Sequence, residues 1–286
     1  MDFSKIKKIT CEDYTVSNEK FDLIYNKKYD MLDTFPQPKI EDLGKYYESS
    51  AYISHSDSKK SFVDKLYQIV KIFTLNKKLK LINSFNTDLK NLLDVGCGTG
   101  DFLLNCKNNG WNVVGVEPNE KAKSLAETKL VVNSSLKIYS DLTHISKEKF
   151  DVITLWHVLE HVPNLSVYIS NLKLLLKPNG VLVVAVPNYK SYDANYYKQF
   201  WAAFDVPRHL WHFSKKSIEL LFSKEDMVVD KILPMKFDSF YVSLLSEKYK
   251  HGKSNFITAF YIGLLSNLKA RTTKEYSSLI YVIKNT

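Results

Sequence analysis

The residues of this chain best suited to hold a ligand are Asp94, Gly96, Gly98 and Gly100, an acid and three glycines that end the apolar run starting at Leu92. Such a run reads as a buried strand stopping at a tight, side-chain-poor turn. Glycine accepts positive φ and lets a ligand approach the backbone, and the free amides of the following helix can meet an anionic group. Two further acids close later segments. Glu117 ends Val113-Val114-Gly115-Val116, where a carboxylate can accept both hydroxyls of a ribose. Taken alone, a solvated acid opening a loop is the simpler reading. Asp141, in Tyr139-Ser140-Asp141-Leu142, suits the exocyclic amine of an adenine, with an exposed turn aspartate as the equal alternative.

These residues need a frame. Apolar runs at 92–95, 113–116, 150–155 and 181–186 read as buried strands, and segments 102–109, 121–129 and 165–176 between them read as helices. Alternation of this kind implies right-handed crossovers and a parallel sheet covered on both faces, with ligands beyond the carboxyl ends of the strands. An amphipathic helix spans 61–85, from Phe62 through Leu66, Ile69, Val70, Phe73, Leu75 and Leu79 to Ile82. Residues 1–60 are polar and aromatic with little period, and Pro36 and Pro38 signal a loop. Later come a helix at 216–222, a strand at 227–233, a lysine- and aromatic-rich block at 237–274 and a last strand at 278–284.

Composition bounds the function. The chain has 286 residues, 45% of them hydrophobic, enough for one large α/β domain with an accessory segment or for two small domains. Its net charge of +9 is almost all lysine, Arg208 and Arg271 being the two arginines, and it is spread without a dense basic run, which argues against nucleic acid. Cys11, Cys97 and Cys106 form neither a CxxC pair nor a disulfide framework, as expected of a cytoplasmic protein. There is no signal-peptide core and no run long enough to cross a bilayer, which leaves room for peripheral membrane contact alone.

The glycine spacing is Gly-x-Gly-x-Gly, not the dinucleotide Gly-x-Gly-x-x-Gly. With 93–100 stand Val116-Glu117-Pro118, Phe150-Asp151-Val152-Ile153, Leu159-Glu160-His161-Val162 and Leu176-Lys177-Pro178-Asn179-Gly180-Val181-Leu182. In these motifs and their order, over roughly residues 60–235, the chain resembles the class I S-adenosylmethionine-dependent methyltransferases. The resemblance implies an α/β fold with a doubly wound, mostly parallel, seven-stranded sheet of Rossmann-like type whose reversed last strand is 278–284. Residues 1–60 become an N-terminal lid or accessory segment and 61–286 the methyltransferase domain, with 237–274 a helical cap inserted before the last strand. S-adenosylmethionine is the implied cofactor. Asp94, Gly96, Gly98 and Gly100 would surround its methionine part, Glu117 its ribose, and Asp141 and Leu142 its adenine, with Leu155 and Trp156 nearby. Tyr52 and His55, with Tyr46 and Tyr47, would close as a lid, where packing on a core edge is the alternative.

The chain also resembles a subgroup with the loop Asp205-Val206-Pro207-Arg208-His209-Leu210-Trp211-His212-Phe213-Ser214 after the fifth strand, bordering the acceptor. A hydroxyl or acidic-carbon acceptor needs a base, and His157, His161, His209 and His212 lie in the two loops implied to face it. A structural role is the alternative for each. Arg208 reads as a fork for carboxylate or phosphate, or as an ion pair with Asp205. Some relatives carry an N-terminal zinc ribbon; here Cys11 has no partner, one thiolate cannot build a tetrahedral site, and no metal is expected. In the 237–274 block, Phe256, Ile257, Phe260, Tyr261, Leu264, Leu265 and Leu268 recur at helical spacing, which predicts core burial, or else a surface for a lipid-linked or bulky acceptor. The expected function is methyl transfer to a small-molecule or glycan-type acceptor. A nicotinamide-dependent oxidoreductase and a non-catalytic cofactor-binding module stay open as alternatives.

Overall fold

In a computed structural model of the protein, the structure describes residues 8–47, 62–85, 87, 89–130, 137–146 and 148–286. The strands are β1 (Lys8–Glu12), β2 (Lys20–Asn26), β3 (Met31–Phe35), β4 (Asn91–Val95), β5 (Asn112–Val116) and β6 (Lys137–Tyr139). They continue with β7 (Phe150–Trp156), β8 (Leu176–Pro187), β9 (Trp211–His212), β10 (Met227–Met235) and β11 (Ser278–Asn285). The helices are α1 (Phe62–Asn83), α2 (Asp101–Lys107), α3 (Glu120–Leu130), α4 (Leu165–Leu175), α5 (Tyr192–Tyr197), α6 (Lys215–Ser223), α7 (Asp238–His251) and α8 (Phe256–Thr273).

The apolar runs become a seven-stranded sheet in the order β10-β11-β8-β7-β4-β5-β6. The last strand of the chain thus lies between β8 and β10. β4 pairs in parallel with both β5 and β7, and Val95 registers with Val116 on one side and Leu155 on the other. The three strands therefore end level, which sets the glycine turn, Glu117 and Trp156 side by side at one edge. Leu92, Leu93, Val152, Ile153 and Leu155 are wholly buried, as a parallel sheet covered on both faces requires. β8 begins at Leu176, five residues before the expected strand, and β6 is a short strand that its sequence does not announce.

The chain divides into two compact units, one of residues 50–156, 167–183 and 283–286, the other of 1–49, 157–166 and 184–282. The second holds an unexpected antiparallel sheet, β1-β2-β3-β9. Phe21 and Leu23 do alternate inward along β2, but the signal covers one short strand, and β3 pairs with β9 from far along the chain, Asp33 lying opposite Trp211, 178 residues away. A core of Tyr189, Tyr197, Trp201 and Phe204 fills this unit.

Helix α8 reverses the expected burial. It packs through small residues, Ala259, Gly263, Ser266 and Ala270, and a Cβ on Gly263 would stand 2.8 Å from the Phe240 ring. Close helix approach needs small side chains, so Phe256, Ile257, Phe260, Tyr261, Leu264 and Leu268 turn outward and are exposed. Among the described residues, no helix is long and apolar enough to cross a membrane.

Between β1 and β2 the fully buried Asp13 accepts backbone N–H bonds from Thr15, Val16 and Ser17, and Nη2 of the buried Arg208 donates to its Oδ1 at 2.9 Å. Burial opposes the charge on Asp13, and Arg208 with the amides more than offsets it, holding the carboxyl well below the usual range. Removing one partner of a buried pair strands the other, so Asp13→Ala is expected to cost about 3–5 kcal/mol in urea unfolding. Asp22→Ala, which breaks an exposed pair with Lys8, is expected to change the same measurement by less than about 1 kcal/mol.

Candidate active site

The glycine turn is built by backbone geometry. Gly96, Gly98 and Gly100 have φ of 68°, 55° and 78°, all left-handed. The Gly96 and Cys97 amides both donate to the Val116 carbonyl, at 2.7 and 3.0 Å, which locks the turn to the neighbouring strand. At Gly100 a Cβ would stand 3.0 Å from that of Ala126, so glycine there serves packing. At Gly98 a Cβ would meet no described residue within 4 Å, so among the described residues the space above the turn is open. Glu117 reaches back to it: its carboxylate accepts the Gly98 amide at 2.8 Å and the Asn119 amide at 2.9 Å.

Asp94 lies beneath the turn, 2% exposed, and accepts from Thr154 Oγ1 at 2.6 Å. Burial raises its pKa to about 7, against the bond from Thr154 and the charge of Lys78. Lys78 Nζ stands 4.3 Å from the centroid of the Trp156 ring, which itself meets Phe102 edge-on at 5.6 Å. The buried Trp156 Nε1 has no hydrogen-bond partner among the described residues. Leu142 and Leu155 are buried, whereas Asp141 is exposed and caps the turn at 142–144 by accepting from Thr143. Tyr52 and His55 lie outside the described residues. Tyr46 donates to Glu19 at 2.6 Å and packs edge-on against Phe21, a core-edge arrangement.

The four histidines separate by their partners. His157, at a left-handed φ of 59°, is held between Glu160 Oε1 at 3.3 Å and Asp238 Oδ2 at 3.1 Å. Burial opposes its charge, but Asp238 and Glu160 outweigh that and raise its pKa to about 10, so the ring is a cation at neutral pH and not a base. His212 is buried. Thr34 Oγ1 donates to the His209 carbonyl at 2.7 Å, so His212 Nε2–H must donate to Thr34 at 3.0 Å, a structural bond. His161 and His209 differ. Their Nδ1–H groups donate to the main-chain carbonyls of Arg208 at 3.0 Å and Ala203 at 2.9 Å, with the Tyr47 hydroxyl also 3.0 Å from His161 Nδ1, which leaves each Nε2 of the neutral rings with its lone pair. The rings meet edge-on at 4.6 Å.

Arg208 is not a ligand fork. Its Nε and Nη2 donate to Asp205 at 3.0 and 2.7 Å, Nη2 to Asp13 and Nη1 to the Tyr46 carbonyl, and the side chain is 3% exposed. Sequence reasoning missed Glu160, Thr154, Lys78 and Asp238 as members of these sites. Glu160 lies within a quoted motif, but nothing local distinguishes Lys78 or Asp238 from surface charges.

An open α/β sheet with a glycine turn and an acid at adjacent strand ends defines a cofactor-binding domain. The chain belongs to the methyltransferase domain family, which matches residues 67–232. It is 40% identical over 108 residues to a ubiquinone biosynthesis O-methyltransferase of Haemophilus ducreyi, covering 35% of this chain and 46% of that one. A protein of the same name from Pelagibacter ubique is 32% identical over 155 residues, 48% of this chain and 65% of that one. The chain thus spans about half the length of several curated relatives that it matches. In fold it is similar to magnesium protoporphyrin IX methyltransferase of Synechocystis, with a TM-score of 0.56 at 17% identity over 84% of this chain and 97% of the other. A SAM-dependent methyltransferase from Archaeoglobus fulgidus gives 0.51 at 18% identity, over 79% and 100%.

Asp94 also ties stability to pH. Its folded pKa of about 7 lies above the ordinary 3.8, so its stabilising contribution is complete below about 4 and is lost as pH rises to about 7. The melting temperature of Asp94→Asn relative to the parent should therefore climb between pH 4 and 7 and level off above; a flat difference would remove the raised pKa.

Proposed function

We propose that this protein transfers a methyl group from S-adenosylmethionine to a hydroxyl of a small-molecule or glycan-type acceptor. The observation that carries the cofactor reading is the open space at Gly98, walled by Glu117, above a buried acid at the end of β4. Asp94 and the amides of the turn would hold the amino-acid part, and Glu117 would take the ribose hydroxyls on the lone pairs left after its two amide bonds. Trp156 Nε1, buried and without a hydrogen-bond partner among the described residues, offers one more donor at the same edge. The cofactor, when bound, supplies an electrophilic methyl on a sulfonium.

The chain's own work is positioning and proton transfer. Of the four histidines, His161 and His209 keep a free Nε2 lone pair, and His209 Nε2 is the proton acceptor in this reading, with its ring aimed by the Ala203 carbonyl. An oxygen acceptor follows from the relatives' printed name. Lysine spread over the whole chain favours a small molecule over nucleic acid.

Calorimetry with S-adenosylmethionine, S-adenosylhomocysteine and NAD tests the cofactor. The first two should bind to the parent, and Gly98→Ala, which puts a methyl in the open space, should weaken them at least tenfold; binding of NAD alone overturns the proposal. His209→Ala should keep cofactor binding and lose most turnover on a catechol-type test acceptor, and unchanged turnover would remove His209 as the base.

A further inference from the structure

Among the described residues, Glu160, His161 and His209 bring three ligating side chains together. One donor atom from each lies within 4.8 Å of the other two. A short turn at Leu159–His161 supplies the first two, and the loop after Arg208 supplies the third.

The hydrogen bonds around the cluster all point away from its centre. His161 Nδ1 faces the Arg208 carbonyl and the Tyr47 hydroxyl, each at 3.0 Å, and His209 Nδ1 faces the Ala203 carbonyl at 2.9 Å; a carbonyl only accepts, so in the neutral rings Nδ1 carries the proton and the two Nε2 keep lone pairs. Glu160 Oε1 faces His157, while Oε2 is buried and has no hydrogen-bond partner among the described residues. A buried carboxylate oxygen without a partner costs free energy and calls for an explanation such as a bound ion. The other charged groups nearby are committed. Asp205 Oδ2, 4.0 Å from His209 Nε2, accepts from Arg208, and His157 is held between Glu160 and Asp238.

We propose that Glu160, His161 and His209 form a binding site for a first-row divalent metal ion of the zinc class, with three protein ligands and one open coordination position. Two neutral imidazoles and a carboxylate are a donor set that such ions take, and three protein ligands with a vacancy mark a site that binds a further oxygen. Bonds of about 2.0–2.2 Å put adjacent ligand atoms roughly 3.4 Å apart, against a present spacing of up to 4.8 Å, so the three side chains draw together when the ion binds. The carbonyls on both Nδ1–H groups are the outer partners that ligating histidines ordinarily have. This goes beyond the methyl-transfer reading and stands without it. Where both hold, an ion at this place would acidify a bound hydroxyl, taking over the role of a free His209 lone pair. Cysteine spacing, the feature from which no metal is expected, carries no information about a site built from histidine and glutamate.

The test titrates chelator-treated, full-length protein with Co²⁺ and then Zn²⁺. One Co²⁺ per chain should bind, with the visible absorption of a four- or five-coordinate ion, and stoichiometric Zn²⁺ should displace it and raise the melting temperature. His161→Asn/His209→Asn and Glu160→Gln should weaken Co²⁺ at least tenfold, while His144→Asn, at an exposed residue, should not. Absence of the cobalt spectrum in the parent overturns the proposal, and so does undiminished binding by a folded double variant. Should the variants fail to fold, the parent's spectrum decides, with X-ray absorption required to show two imidazole ligands; fewer overturns the assignment.

Discussion

The charge of Arg208, taken out of water, is the constraint on which the histidine cluster depends. A buried guanidinium costs several kcal/mol unless its donors are matched, and here two carboxylates and a carbonyl match them. The matching fixes the loop that bears Arg208 against the turn between β1 and β2. The same residue's carbonyl then aims His161, and the next residue is His209. The pair's geometry is thus a product of an ion pair that never meets a ligand.

The cofactor edge was legible in the sequence because its determinants are local. An apolar run, an acid and three glycines specify a parallel strand and its turn with no help from afar, and apart from β6 the α-helices and strands of 91–187 fall within a few residues of their expected bounds. The histidines were legible as a group and not as individuals. What separates them is the partner of each ring nitrogen: Asp238 for His157, 81 residues away, and Thr34 for His212, 178 residues away. No spacing rule conveys which of four similar rings is a cation, which is a strut and which keep their lone pairs. The strands at 8–35 were unreadable for a related reason, since short half-buried strands depend on pairing partners supplied elsewhere. In α8 the apolar stripe was read correctly as a pattern and wrongly as a core, because the packing face belongs to its small residues.

The region shared with the methyltransferase domain family, 67–232, contains the glycine turn, Glu160, His161 and His209. Asp13 and Asp238, which anchor Arg208 and His157, lie outside it. The matched region therefore holds the glycine turn and the histidine cluster, and residues outside it hold Arg208 and His157 in place.

Asp13 has a consequence for how such a protein can change over time. The loop at 205–214 looks like a module, a contiguous stretch that could drift or be exchanged by itself. Its arginine, however, is matched by Asp205 within the loop and also by an aspartate 195 residues earlier in the chain. A loop exchanged by itself would leave Asp13 buried without its partner, so the first strands and this late loop act as a single part, though nearly the whole domain is written between them.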